Sequence, residues 1–263
     1  MPPAFSSEGK VMDNKEKKQK APRKRRLALW IILAVFVLLA GSAGIYAGDY
    51  YRAEPEALAV MEKGAPGVRV EQKGGRTVFT PESPKAGLIF YPGGKVEYSA
   101  YAPLMAELAQ EGFLCVLLKM PLNLAVLDMD AAHGIPAEFP GVERWILAGH
   151  SLGGAMAASC AAKHPEEFEG LLLLAAYSTA DLSDSGLQVL SLYGSEDGVL
   201  NREKYEKYRG NLPADARETV IEGGCHAGFG AYGPQKGDGV PRITRAEQTA
   251  RTAAEAALLL TDW

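Results

Sequence analysis

Residues 145–158 read Trp145-Ile146-Leu147-Ala148-Gly149-His150-Ser151-Leu152-Gly153-Gly154-Ala155-Met156-Ala157-Ala158. Four apolar residues make a strand-like run, a glycine-rich corner follows, and alanine and methionine then favour helix. The corner is G-x-S-x-G in a strand–turn–helix setting. Such a corner needs small residues around the serine, because the departing helix passes close to the strand it leaves. A serine held there is a candidate nucleophile.

The flanking sequence repeats the alternation. Gly87–Tyr91 is a continuous apolar run that stops at Pro92-Gly93-Gly94, and Phe113–Leu118 is another. Leu171–Leu174, Val189–Tyr193 and Thr219–Ile221 follow the corner. Arg69–Glu71 and Thr77–Thr80 flank Lys73-Gly74-Gly75 as hairpin arms. Helical stretches separate the runs: Tyr101–Gln110 with Gly112 as its stop, Leu152–Lys163, and Arg202–Arg209 between Asn201 and Gly210. A last helix opens with the capping box Thr244-Arg245-Ala246-Glu247. Apolar strands alternating with helices imply an α/β fold, a mostly parallel sheet with helices on both faces.

The chain has 263 residues and a net charge of −4, unevenly spread. Residues 1–26 hold nine Lys/Arg against three Asp/Glu, and the rest nineteen against twenty-nine. An acidic body argues against a nucleic-acid partner. From Leu27 to Gly48 no charged residue occurs in twenty-two positions, directly after Arg23-Lys24-Arg25-Arg26. This reads as a single transmembrane signal anchor with residues 1–26 as a basic cytoplasmic tail and the catalytic body outside. The rival is a secreted protein freed by cleavage near Ala43 or Ala47. Residues 49–67 read as a helical stalk, and 68–263 as the folded domain. Cys115, Cys160 and Cys225 are too few and scattered for a disulfide framework or zinc site. No P-loop, dinucleotide fingerprint or metal-spaced run is present, so no cofactor or metal is expected.

A serine nucleophile needs a base, and the base needs an orienting acid. Of four histidines, His133 lies in a loop and His164 ends the helix after the corner, where it complements the helix dipole. His150 adjoins Ser151 and is expected to point to the other side of the turn. His226 remains, in the glycine-lightened loop Gly223-Gly224-Cys225-His226-Ala227-Gly228 after a strand. Asp197 follows another strand in Tyr193-Gly194-Ser195-Glu196-Asp197, and Asp181 is the spare acid. Asp128 and Asp130 read as a charged helical face, Cys225 as buried filler. Lys119–Leu124 either lines the pocket or is a packed loop.

Together Gly87–Gly94, the corner, the Tyr193–Asp197 turn and Gly224–Phe229 resemble the α/β-hydrolase superfamily, most closely its small lidless branch akin to dienelactone hydrolases. The resemblance covers about residues 68–262. It implies Ser151 as nucleophile, His226 as general base and acid, and Asp197 as orienter. The oxyanion hole would be the backbone N–H of Leu152 with that of Gly93 or Gly94, Pro92 having none. The sequence departs from the family with Tyr91-Pro92 in place of His-Gly, and with serine where dienelactone hydrolases use cysteine. The implied activity is cleavage of a small-molecule or envelope ester, or a related acyl bond, through an acyl-enzyme. An acyltransferase with the same triad and a non-catalytic binding module are the alternatives. Only residues 177–187 separate two strands where many relatives insert a lid, so an open, shallow site preferring short acyl groups is expected.

Overall fold

The computed structural model describes residues 23–261. The chain forms two units that part between Gly48 and Asp49. The first holds helix α1 (Arg23–Gly48). Its described side chains from Leu27 to Leu38 are exposed, Trp30 by 69% and Leu38 by 70%. Residues Leu27–Gly48, expected to cross a membrane, lie within this helix. Among the described residues no helix is long and apolar enough to cross a membrane.

The second unit begins with α2 (Pro55–Lys63). A hairpin follows, β1 (Val68–Lys73) and β2 (Arg76–Pro81), and then β3 (Ala86–Tyr91). Helix α3 (Ala102–Glu111), β4 (Phe113–Leu118), β5 (Trp145–His150) and α4 (Leu152–Lys163) carry the chain through the corner. The remainder is β6 (Gly170–Leu174), β7 (Gln188–Gly194), α5 (Arg202–Lys207), β8 (Arg217–Ile221) and α6 (Arg245–Ala257). Eight strands form one sheet in the order β1-β2-β4-β3-β5-β6-β7-β8. Only β2 runs antiparallel to its neighbours; from β4 to β8 every pairing is parallel.

Strands β3, β4, β5 and β6 are buried along their whole length, as continuous apolar runs require when helices cover both faces. The period-2 alternation sorts their side chains into two cores. Leu88, Phe90, Ile146, Ala148, Leu172 and Leu174 face one core, which takes in Leu104, Leu108, Ala253 and Leu259 from α3 and the C-terminal helical segment. Ile89, Tyr91, Trp145, Leu147, Leu171 and Leu173 face the other, with Ala157, Ala158 and Ala161 of α4. Each fully buried Leu or Phe contributes roughly 1.5–3 kcal/mol, so these strands anchor the fold. The edge strands β1 and β8 are half exposed and carry Arg69, Glu71, Lys73 and Glu218, which discourages edge pairing.

The stalk expected at residues 49–67 is corrected by the structure. The helix is present, but it packs into the body. Ala57 and Met61 are buried, Tyr51 N–H donates to Lys95 O (2.8 Å), and Glu54 N–H donates to Ala231 O (2.8 Å). The apolar positions of a short amphipathic helix found a place on the α3 face.

Candidate active site

Ser151 stands between β5 and α4 with φ 53° and ψ −123°, a left-handed conformation that a residue with a Cβ rarely adopts. Crowding around the corner enforces it. A Cβ at Gly149 would lie 2.6 Å from the Gly153 carbonyl, and one at Gly153 would lie 2.2 Å from Tyr91 O and 2.3 Å from Pro92 O. Ser151 N–H donates to Leu174 O (2.9 Å), tying the corner to the end of β6.

The turn after β7 delivers Asp197, and the loop after β8 delivers His226. Asp197 Oδ2 accepts from His226 Nδ1 at 2.9 Å, with the imidazole 1% exposed and the carboxylate fully buried. Asp197 Oδ1 accepts from Val199 N–H (2.9 Å) and Leu200 N–H (2.8 Å), so the carboxylate is fully engaged. A proton on Nδ1 makes Nε2 of His226 the basic nitrogen. That Nε2 is buried and without a hydrogen-bond partner among the described residues, Ser151 included. A buried acceptor left unpaired costs about 1–3 kcal/mol, which an incoming hydroxyl would relieve.

Three further residues hold this arrangement, and sequence reasoning missed them. Asp238 accepts from the N–H groups of Ala227 (2.8 Å), His226 (3.2 Å) and Gly198 (3.1 Å), bracing the histidine loop against the Asp197 turn. Burial works against its charge, but these backbone donors prevail and hold its carboxyl below the usual 3.8. Gln248 of α6 grips Cys225 by both backbone atoms, accepting from N–H (3.0 Å) and donating to O (2.8 Å). Cys225 is buried, as expected of a filler, and burial pushes its thiol up to about 11.

Tyr101 is the third. Its hydroxyl accepts from Gly93 N–H (3.0 Å) and lies 2.8 Å from His150 Nδ1. This corrects two expectations. Gly93 spends its N–H on the tyrosine, so of the two glycines expected as candidate second donors only Gly94 stays a candidate. A Cβ at Gly94 would sit 2.9 Å from a methyl of Leu152, so Gly94 lies directly against that side chain. Nor does His150 turn away from the site. Strand alternation puts it with Ile146 and Ala148 on the face that the His226 loop covers. Its ring packs 4.5 Å from that of His226 and 5.6 Å from that of Phe229. Burial, followed by the neighbouring His226, holds His150 well below its usual range, which keeps it neutral beside that second imidazole.

The spare acid Asp181 is exposed, and its Oδ1 accepts from Ser183 N–H and Oγ. Asp128 follows the short helical turn Ala125–Leu127 and Asp130 lies in a turn, neither on an α-helical face. Folding also gathers Asp130, Cys160 and His164, and His133, His164 and Glu167, each trio with ligand-type atoms within 4.8 Å of one another. These groups pair among themselves, His133 with Glu167 and Asp130 with both Lys163 and His164. The two imidazoles stack at 3.9 Å and 15°, which sends their lone pairs side by side instead of toward one point. Twelve residues of α4 place them about 18 Å from Ser151. Cavities of about 600 Å³ beside Tyr177, Tyr208 and Glu218, and about 470 Å³ behind Cys225 and Asp238, hold none of Ser151, Asp197 or His226.

Residues 87–250 match the Alpha/beta hydrolase family. The chain belongs to that family. Solved structures agree on the fold. A protein described as a predicted CIB-like hydrolase from Thermoplasma acidophilum superposes with a TM-score of 0.54 at 14% identity, covering 73% of this chain and all of its own. TT1662 from Thermus thermophilus gives 0.55 at 19% identity, covering 74% of this chain and 99% of its own. An alpha/beta hydrolase enzyme from the sediment metagenome of the Mar Chica lagoon, Morocco, gives 0.51 at 18%, covering 61% and 90%. A relative in Mycobacterium phage D29 named "Putative non-heme haloperoxidase" is 30% identical over 109 residues, 38% of this chain. The chain spans 39% of that relative's length. The order of strands, with β2 alone reversed, therefore belongs to an alpha/beta hydrolase.

Proposed function

We propose that this alpha/beta hydrolase is a membrane-anchored serine hydrolase that cleaves an ester or related acyl bond. Ser151 attacks the acyl carbon, His226 Nε2 takes its proton, and Asp197 keeps the imidazole in the tautomer that exposes Nε2. The tetrahedral oxyanion is received by the N–H groups of Leu152 and Gly94. His226 then protonates the departing alcohol, and water activated by His226 releases the acyl group. The observation that carries this reading is the buried Asp197–His226 pair with Nε2 unpartnered, its imidazole 4.5 Å from the ring of His150, which directly precedes a serine held at positive φ. The protein should react covalently with a fluorophosphonate, and Ser151→Ala should not, with an unchanged circular dichroism spectrum. Equal labelling of both would sink the reading.

The anchor is the segment Leu27–Gly48. Twenty-two uncharged residues make a helix about 33 Å long, enough for a bilayer core, and the exposed apolar side chains from Leu27 to Leu38 need a cover. The basic residues before it place the N-terminus on the cytoplasmic side and the body outside. Protease added to intact cells should digest the body and spare a tag placed before Lys10. A free body in the medium would instead establish cleavage.

A further inference from the structure

Eight large apolar side chains are exposed among the described residues from Asp49 onward, and four of them, Leu122, Val126, Leu127 and Met129, fall within eight consecutive positions. Single exposed apolar residues are ordinary, but a cluster marks a surface that meets something apolar. Leu122 is 61% exposed and sits with Asn123 in left-handed conformations, φ 51° and 55°. Two successive non-glycine residues of that kind persist only where their surroundings hold them.

What holds this loop is the segment that carries the oxyanion donor. Lys95 N–H, next to Gly94, donates to Asn123 O at 2.8 Å. Tyr91 Oη donates to Met129 O (2.8 Å) and accepts from Ala132 N–H (2.9 Å). The turn Ala125–Leu127 packs against α4, whose first residue Leu152 lies against Gly94. Lys95, next to Gly94, is thus bonded to Asn123, the neighbour of Leu122, so the loop that bears these apolar side chains is tied by its backbone to the Gly94 segment.

We infer that Leu122, Val126, Leu127 and Met129 form an acyl-binding rim, and that the substrate carries a medium or long aliphatic acyl chain. The inference rests on the serine-hydrolase reading and gives it a substrate class. It runs against the preference for short acyl groups expected from the short connection at residues 177–187. The apolar cover lies on a different loop.

A fully buried methylene strengthens binding about fourfold, and one half covered by an open rim about twofold. Over the six methylenes between acetate and octanoate, half coverage amounts to a gain on the order of 60-fold in kcat/KM. The test uses the full chain in lipid nanodiscs with p-nitrophenyl esters from acetate to octanoate. The double variant Leu122→Ser/Leu127→Ser changes only exposed side chains, and Val240→Ser, 83% exposed and remote in sequence, is the control. Partitioning of the esters into lipid is common to all proteins and cancels. The octanoate-to-acetate ratio should fall by about tenfold in the double variant, as partial loss of that cover requires, and stay unchanged in the control. An unchanged ratio in the double variant overturns the rim. An equal loss on every ester, with the ratio kept, likewise overturns it and would assign the loop to the membrane surface. Failure of Ser151 to react with a fluorophosphonate would mark failure of the underlying reading, and is scored separately.

Discussion

Two loops border the candidate site, and they are held in opposite ways. The loop of His226 is held by buried side chains: Asp197 on its imidazole, Asp238 on two of its N–H groups, Gln248 on both backbone atoms of Cys225. The loop from Met120 to Met129 is held through its backbone, at Asn123 O and Met129 O; Met120 and Ala125 are buried, and Leu122, Val126, Leu127 and Met129 are left exposed. A proton moves only over a hydrogen-bond length, so the base must be fixed in direction as well as place. An aliphatic chain is recognised by area alone, since the hydrophobic effect has no direction. On the proposed function and the inferred acyl rim, polar bracing and apolar exposure are the physical forms of these two demands.

The comparison breaks most severely at Asp197. Asp197→Asn should lower kcat by up to about 10⁴, because the amide favours the wrong imidazole tautomer. Asp181→Asn, on an exposed loop, should do far less in the same assay. A reversed order would move the orienting acid to Asp181.

Asp238 gives a smaller effect with a pH signature. In Asp238→Asn an amide NH₂ meets a backbone donor, and each unsatisfied donor costs about 1–3 kcal/mol. Urea unfolding at pH 7 should therefore show the variant less stable by about that much. The folded carboxyl titrates below 3.8, so its contribution is complete above that value and is lost as pH falls through the lower, folded one. The gap between the two proteins should close below about pH 4. A gap constant from pH 7 to pH 3 would mean that the carboxylate charge is not what braces the loop.

On the other loop the expected effect on stability is almost nil. Val126 is 49% exposed, and Val126→Ser should change stability by no more than about 0.5 kcal/mol. A fall of 2 kcal/mol or more, on the order of a core substitution, would show the loop to be packed, not presented.

The sheet was legible because its central strands are buried on both faces and so read as unbroken apolar runs bounded by glycine and proline. The corner at Ser151 was legible because its crowding admits little but glycine at 149 and 153. Asp238 gave no such sign. It lies in Gln235-Lys236-Gly237-Asp238-Gly239, a polar turn like many others, and its role depends on a loop that folds back twelve residues. Tyr101 read as the start of a helix, since nothing local says that its hydroxyl reaches Gly93 and His150. The strand order, with β4 between β2 and β3, depends on pairings that a string of apolar runs leaves undetermined. Local patterns are visible in sequence; which groups meet across the sheet's upper edge is a property of the closed structure.

At Gly153 the end of β3 and the start of α4 are separated by the space of a hydrogen atom, since even a methyl group would meet two carbonyl oxygens of Tyr91 and Pro92. Alanine there would act as a wedge. It would force apart the residues leading to Gly94 from those following Ser151, and with them the proposed donor from the proposed nucleophile. The clearance works in the other direction too: backbones in contact move as one casting, so no distant change shifts the donor relative to the serine without first opening this joint. Redesign for new substrates is therefore confined to the outer loops, with the spacing of the reacting groups as the fixed dimension around which everything else must be fitted.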